Sequence, residues 1–316
     1  MKILITGAFG LLGGRLAAHL NQVGHEVYLG SRVIRGKPNW LTCGDVVQIN
    51  WKDRVSLENV CQGMDVVIHC AGLNASECYS DPKKAIEING MMTMRLALAA
   101  QRASVAKFFY MSTAHVYSSD LQGLITEDNE ITNTHPYATS NILGEQAVMK
   151  MHSINGMQTF ILRLSNSFGV PMNEDSNCWM LVLNDFCRQA ATDRQLVIRS
   201  PSETLRNFIT LTDVCLAIHY LVSLRGTSMR SIICNLGDKT RSLLDMASTI
   251  AEIYESEKGV SLPILLLSKD SIPNTYLDFQ SIFFQQHNWQ PKSNFKEELS
   301  ELVSYCETHF GTSFEK

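Results

Sequence analysis

The feature that most constrains this 316-residue chain is a glycine turn wedged between a strand and a helix. Lys2 to Thr6 reads KILIT, a short apolar run rich in branched residues, and Gly7-Ala8-Phe9-Gly10-Leu11-Leu12-Gly13 follows it without a gap. Leu12, Leu16 and Leu20 then recur four apart, on one face of a helix. Glycine permits positive φ and close backbone approach, so it suits a chain that must reverse sharply from strand into helix. The first amides of that helix have no partner within it and sit at the positive end of its dipole, a ready site for a pyrophosphate. The spacing is GxxGxxG, one residue longer between the first two glycines than the commoner dinucleotide fingerprint. The same letters in isolation would fit a tight turn with no ligand; the position between strand and helix favours the ligand.

The first half of the chain continues in alternation. Glu26 to Leu29, Val46 to Ile49, Asp65 to Cys70, Lys107 to Met111 and Thr159 to Leu164 read as strands. Leu11 to Val23, Leu57 to Cys61, Ile86 to Arg102 and Tyr137 to His152 read as helices. Near-continuous apolar strands alternating with helices predict an α/β fold, a doubly wound parallel sheet covered on both faces. The second half is less regular and carries Pro171, Pro201, Pro263 and Pro273. A dinucleotide-binding domain over 1–168 and a smaller C-terminal α/β lobe over 169–316 are expected, with the segment near 207–237 returning to the first domain.

Composition narrows the function. Lys and Arg number 27 against 31 Asp and Glu, a net charge of -4, which leaves no basic surface for nucleic acid. Mean hydropathy is -0.03, and no apolar run approaches the ~18 residues of a membrane span. Nine cysteines occur with no CxxC pair and no HExxH, so neither structural zinc nor a disulfide framework is expected, and no metal is assigned. The opening residues read as a buried strand rather than a secretory signal, and a cytoplasmic setting fits. Asn74-Ala75-Ser76 has the letters of a glycosylation sequon and is read as chance.

The end of the second strand bears on cofactor choice. An acidic residue there would bind a ribose 2'-hydroxyl. The stretch is Leu29-Gly30-Ser31-Arg32, with Arg35 close behind, and a guanidinium suits a 2'-phosphate. NADP(H) is therefore favoured, with NAD(H) possible.

Met111-Ser112-Thr113-Ala114-His115-Val116-Tyr117 follows a strand, and Tyr137-Ala-Thr-Ser-Asn141 opens a helix downstream. A hydroxyl at a strand end and a phenol on a facing helix can converge on one carbonyl or alcohol. Further motifs are His69-Cys-Ala71-Gly72, Asn89, Arg163-Leu-Ser-Asn166-Ser-Phe-Gly169-Val-Pro171, Arg206-Asn-Phe-Ile-Thr-Leu-Thr-Asp213 and Asn235-Leu-Gly237. In this order, and with the glycine turn, they resemble the extended short-chain dehydrogenase/reductase family, in its nucleotide-sugar epimerase, dehydratase and reductase branch. The resemblance implies that Tyr137 is the acid/base and that Thr113 holds the substrate oxygen. It implies a cofactor held by Gly7, Phe9, Gly10, Leu11, Leu12, Gly13, Ser31, Arg32, Asn50, Trp51, Ala71, Gly72, Asn89, Tyr137 and the residue at 141. Arg206 is implied to reach the substrate diphosphate, unless it pairs with Asp213. Asn166 is implied to touch the nucleotide or sugar, and His115 stands beside the reacting centre. A homodimer through the helices around 86–102 and 137–152 is implied by the same analogy.

The family pattern is YxxxK, and here its last position is Asn141. The lysine would lower the phenol pKa from ~10 and hold the cofactor ribose; a neutral amide supplies no such field. Removing a proton from an alcohol needs phenolate, whereas reducing a ketone needs a neutral phenol as donor. Ala114-His115 also replaces the acidic pair usual in dehydratases of the family, so 4,6-dehydration is not expected. The leading reading is an NADP(H)-dependent oxidoreductase or epimerase of a nucleotide-activated sugar, more specifically a keto-sugar reductase. The alternatives are a catalytically weak or inactive dinucleotide-binding regulatory subunit and a nucleotide-sugar epimerase with tightly bound NAD.

Overall fold

The structure is a computed structural model, and it describes residues 1–151, 156–225, 231–268 and 276–311. The first half runs β1 (Lys2–Thr6), α1 (Leu11–Gln22), β2 (Glu26–Ser31), β3 (Gly44–Gln48), α2 (Arg54–Cys61), β4 (Val66–His69), α3 (Ala75–Ser80) and α4 (Pro82–Ala85). A π-helical stretch, Ile86–Met92, leads into α5 (Thr93–Arg102), then β5 (Lys107–Thr113), a 3-10 turn (Ala114–Val116), β6 (Gly123–Ile125), α6 (Pro136–Met151) and β7 (Gln158–Leu164). The second half runs β8 (Asn166–Phe168), α7 (Val182–Thr192), β9 (Leu196–Ile198), β10 (Leu205–Thr210), α8 (Leu211–Ser223), β11 (Ser231–Leu236) and β12 (Lys239–Ser242). It closes with α9 (Leu243–Lys258), β13 (Ile264–Leu266), β14 (Leu277–Phe279), α10 (Ile282–Gln286) and α11 (Phe295–Phe310).

Seven strands form one parallel sheet in the order β11-β7-β5-β4-β1-β2-β3. The order reverses at β1, which pairs with β4 on one side and β2 on the other, so a crevice opens beyond its C-terminal end. Both faces are covered. Ile3, Ile5 and Phe109 pack with Leu16 and Leu20 of α1 and Ile218 and Leu221 of α8. Leu4, Val67, Phe108 and Ile161 point the other way, onto Leu57, Leu96 and Val148 from α2, α5 and α6. Alternation with both faces buried is why these strands read as continuous apolar runs.

The remaining strands make three small sheets, β12-β10-β8, β13-β9 and β14-β6. A second core built on α7, α9 and α11 includes Phe186, Ile250, Leu299 and Leu302. It is tied back to the large sheet by polar bonds. Asp213 at the start of α8 accepts from the Lys292 and Ser293 amides at 2.7 and 3.0 Å. Arg15 of α1 pairs with Glu298 of α11 at 3.0 Å.

Three sequence expectations are corrected. The second strand extends to Ser31, and the third covers Gly44–Gln48 rather than starting at Val46; β3 is the sheet edge, where polar Asp45 and Gln48 face outward. The helix expected over 86–102 begins as a π-helical stretch. There the Asn89 carbonyl accepts from the Thr93 hydroxyl at 2.7 Å, at the junction with α5. α6 is described to Met151; His152 and Pro273 lie outside the described residues.

Candidate active site

The glycine turn closes the crevice beyond β1. Gly7 has φ +70, and a Cβ on it would lie 2.7 Å from the Ala71 nitrogen after β4. A Cβ on Gly13 would lie 2.2 Å from the Gly7 carbonyl oxygen. Glycine at both positions lets the ends of β1 and β4 and the first turn of α1 meet. Gly10 is the N-cap and offers no side chain, so the first amides of α1, Leu11 and Leu12 among them, remain available. This cradle fits a dinucleotide pyrophosphate: the donors are backbone, and a larger residue would fill the space.

Around it, Phe9 lies under the Arg35 guanidinium at 4.6 Å, and Arg35 pairs with Asp175 at 2.8 Å. Arg35, close behind Arg32 in sequence, is thus engaged with Phe9 and Asp175. Arg32 is exposed and has no ion pair among the described residues, and Ser31 is buried beside it. Asn50 shapes the turn after β3 by accepting from the Lys52 amide at 3.2 Å. Trp51 packs near His69, ring centroids 5.7 Å apart. Asn89 turns inward. It accepts from the Leu73 amide at 2.8 Å and donates to Ser140 at 3.1 Å, fixing the segment beyond Ala71 and Gly72 against α6.

The reacting pair is assembled by β5 and α6. Pro136 starts α6, with φ already preset for helix. The Tyr137 amide donates to His135 Nδ1 at 3.1 Å, which pins the first turn. Thr113 ends β5, its hydroxyl accepts from the His115 amide at 3.2 Å, and it stands beside the Tyr137 phenol. Burial pushes the phenol pKa above its ordinary 10, and the neighbouring Thr113 hydroxyl opposes this. Asn141 is 5% exposed. Its Oδ1 accepts from the Tyr110 hydroxyl at 2.9 Å, and its Nδ2 donates to the Tyr137 carbonyl at 2.8 Å. Behind the pair lies a buried ion pair, Glu145 with Arg163 at 2.7 Å. Glu145 also accepts from Ser112 at 2.5 Å, and Arg163 donates to Tyr117 at 2.9 Å. The residue preceding Thr113 and the helix carrying Tyr137 are thus bonded to one carboxylate.

A cleft of about 430 Å³ opens from this pair toward the smaller lobe and includes Thr113, His115, Tyr137, Asn166 and Arg206 in its walls. Arg206 lines it from β10 without an ion pair among the described residues; burial lowers its pKa from the ordinary arginine value. Pairing with Asp213 is ruled out, since Asp213 is fully buried and bonded to Thr210 and to the 292–293 segment. Asn166 donates to the Asn207 carbonyl at 2.9 Å. His115 sits 6.3 Å from the Tyr137 ring; burial first, then Arg206 and His135, lower its pKa and keep it neutral. Met180 and Leu181 also line the cleft, and Leu181 caps α7 with no side-chain bond to its first amides.

Several cleft residues were not expected as site residues from the sequence. Ser165 carries a buried hydroxyl with no partner among the described residues. Asn74 and Ser76 form one wall, and Asn74 is the N-cap of α3 in a reciprocal box with Glu77. The pattern Asn-x-x-Glu before a helix is the signal that would have found it.

A glycine cradle that fits a dinucleotide pyrophosphate thus lies at the switch point of a parallel sheet, with Thr113, Tyr137 and a cleft holding Arg206, unpaired among the described residues, beside it. Residues 3–237 match the NAD dependent epimerase/dehydratase family, and the chain belongs to that family. A UDP-N-acetyl-alpha-D-glucosaminuronate decarboxylase of Bacillus cytotoxicus is 24% identical over 100% of this chain and 94% of its own length. A putative UDP-glucose 4-epimerase of Methanocaldococcus jannaschii is 22% identical over 97% of this chain and 99% of its own. Among solved structures, UDP-glucuronic acid 4-epimerase of Bacillus cereus with UDP-glucuronic acid and NAD superposes with TM-score 0.79 at 22% identity, covering 98% of this chain and 99% of that one. The fold is shared; the ligands named are those of the relatives.

Proposed function

We propose that the chain is a nucleotide-sugar oxidoreductase or epimerase working best in the reductive direction, as a keto-sugar reductase. The observation that carries this is the Tyr137 site: a phenol whose surroundings favour its protonated form, beside Thr113, with a neutral amide at position 141 where the related pattern has lysine. The glycine turn and the ends of β1 and β4 would hold the dinucleotide, which when bound supplies or accepts a hydride at the sugar carbon. Tyr137 gives its proton to the oxygen that develops charge, and Thr113 donates to the same oxygen and orients it. Both act in a site where burial favours the protonated phenol. Arg206 and the first turn of α7 take the diphosphate. The names of the relatives, a putative UDP-glucose 4-epimerase and an epimerase structure with UDP-glucuronic acid and NAD, support a nucleotide sugar and a dinucleotide as the two ligands.

For the cofactor, Ser31 and the unpaired Arg32 favour a 2'-phosphate and hence NADP(H), with NAD(H) as the alternative that the relatives' names support. The exposed apolar side chains of Ile86, Met91, Met94 and Leu143, on the π-helical stretch, α5 and α6, are assigned to pairing with a second copy of the chain. The test of the reaction is cofactor absorbance with 4-keto sugar nucleotides of the UDP and dTDP series. Substrate-dependent consumption of NADPH or NADH that is lost in Tyr137→Phe supports it. No turnover in either direction with both ligands bound would instead favour a regulatory dinucleotide-binding protein.

A further inference from the structure

We infer that the sugar accepted by this cleft is uncharged and that uronates are discriminated against; this rests on the nucleotide-sugar reading above. The basis is the number of charges in the cleft walls. Among the described residues lining it, Arg206 is the single permanent cation and Asp120 the single carboxylate. A nucleoside diphosphate ester brings two negative charges of its own, and Arg206 has only one guanidinium to set against them. A uronate adds a third charge on the sugar, and the one other cleft-lining group with basic character among the described residues is His115. That imidazole is held neutral by its burial and by Arg206 itself, so it offers one N–H at most and no charge. Apart from Asp120, the other lining residues are neutral polar or apolar, among them Asn74, Ser76, Ala114 and Leu164.

Burying a carboxylate without a paired cation is costly, whereas sugar hydroxyls need only donors and acceptors. The cleft supplies these. Ser165 Oγ is buried and has no partner among the described residues, and Asn166 spends its amide N–H on the Asn207 carbonyl. Asp120, exposed beside the cleft, adds repulsion toward a further anion and draws on the same Arg206.

The experiment is calorimetric titration of the cofactor-loaded full chain with three probes for each of UDP, dTDP and GDP. The probes are the free nucleoside diphosphate, its glucose ester and its glucuronate ester. With the nucleotide that binds, the glucose ester should bind at least tenfold more tightly than the glucuronate ester. Asp120→Asn, an exposed and conservative change, should narrow that gap several-fold. A glucuronate ester binding as tightly as the glucose ester overturns the inference and leaves the nucleotide-sugar reading standing, because the free diphosphate still binds. Failure of every probe, free diphosphates included, overturns that reading and the inference with it.

Discussion

The Tyr110 hydroxyl donates to Asn141 Oδ1 at 2.9 Å, bridging the middle of β5 to the first turns of α6. The same amide donates back to the Tyr137 carbonyl at 2.8 Å. Asn141 therefore bonds the protein itself, and the helix face one turn below Tyr137 presents a satisfied neutral group. The phenol is left with burial, which favours its protonated form, and with Thr113, which partly opposes that.

Replacing Asn141 by Lys should be costly alone. The Tyr110 hydroxyl is buried and would lose its 2.9 Å acceptor, a loss of about 1–3 kcal/mol. Asn141→Lys combined with Tyr110→Phe should recover much of that stability in chemical denaturation. In the double variant the oxidative rate should rise and its pH profile move to lower pH, since a cation near Tyr137 favours phenolate.

Arg206→Ala should weaken binding of a nucleoside diphosphate sugar by about 1.5–3 kcal/mol, the scale of a hydrogen bond to a charged group. Cofactor binding should hardly change, because Arg206 lies on β10 in the cleft wall and not at the glycine turn. Equal losses for both ligands in calorimetry would make Arg206 structural.

NADPH should bind more tightly than NADH, and Arg32→Asp should reverse the order. Arg35→Ala should matter less to this choice, since its guanidinium is paired with Asp175. Fluorescence titration of the reduced cofactors checks both; a tighter NADH complex in the parent contradicts the role given to Arg32.

His69 makes stability pH-dependent. Its Nδ1 meets the Thr6 hydroxyl at 2.6 Å and its Nε2 meets Thr93 at 3.0 Å. Thr93 already donates to the Asn89 carbonyl, so Nε2–H is the donor to Thr93 and Nδ1 accepts from Thr6. Burial lowers the pKa from 6.5 to about 3. The folded state stays neutral while the unfolded chain takes up a proton below 6.5, so this contribution is complete above that pH and falls as pH drops toward 3. The slope is about 1.4 kcal/mol per pH unit well below 6.5. Denaturation between pH 7.5 and 5 should show the fall, and His69→Asn should flatten it.

The large sheet was legible because its strands are buried on both faces: Ile3, Leu4 and Ile5 face alternate cores yet read as one apolar run. The glycine turn, Thr113 and Tyr137 were legible because each sits at a strand or helix end where its residue type has a local reason. The smaller lobe was not. β8, β9, β13 and β14 are three residues each, too short for a period to show, and they form only through partners far away in sequence, as β14 does with β6. Asn89 and Asn141 looked like ligand contacts; their inward bonds to Leu73, Ser140 and Tyr110 depend on packing across elements that spacing does not reveal. The pairing of Arg35 with Asp175 spans 140 positions and had no sequence signal.

The most direct test of the central claim is the pH dependence of hydride transfer in both directions, measured as initial rates with saturating cofactor and substrate. A neutral Tyr137 predicts a reductive rate that is flat from about pH 6.5 to 9, and an oxidative rate that climbs roughly tenfold per pH unit over that range. Tyr137→Phe should abolish both. Efficient oxidation at neutral pH, with a profile that levels off at or below about pH 7, would contradict the account and require another group to activate the phenol.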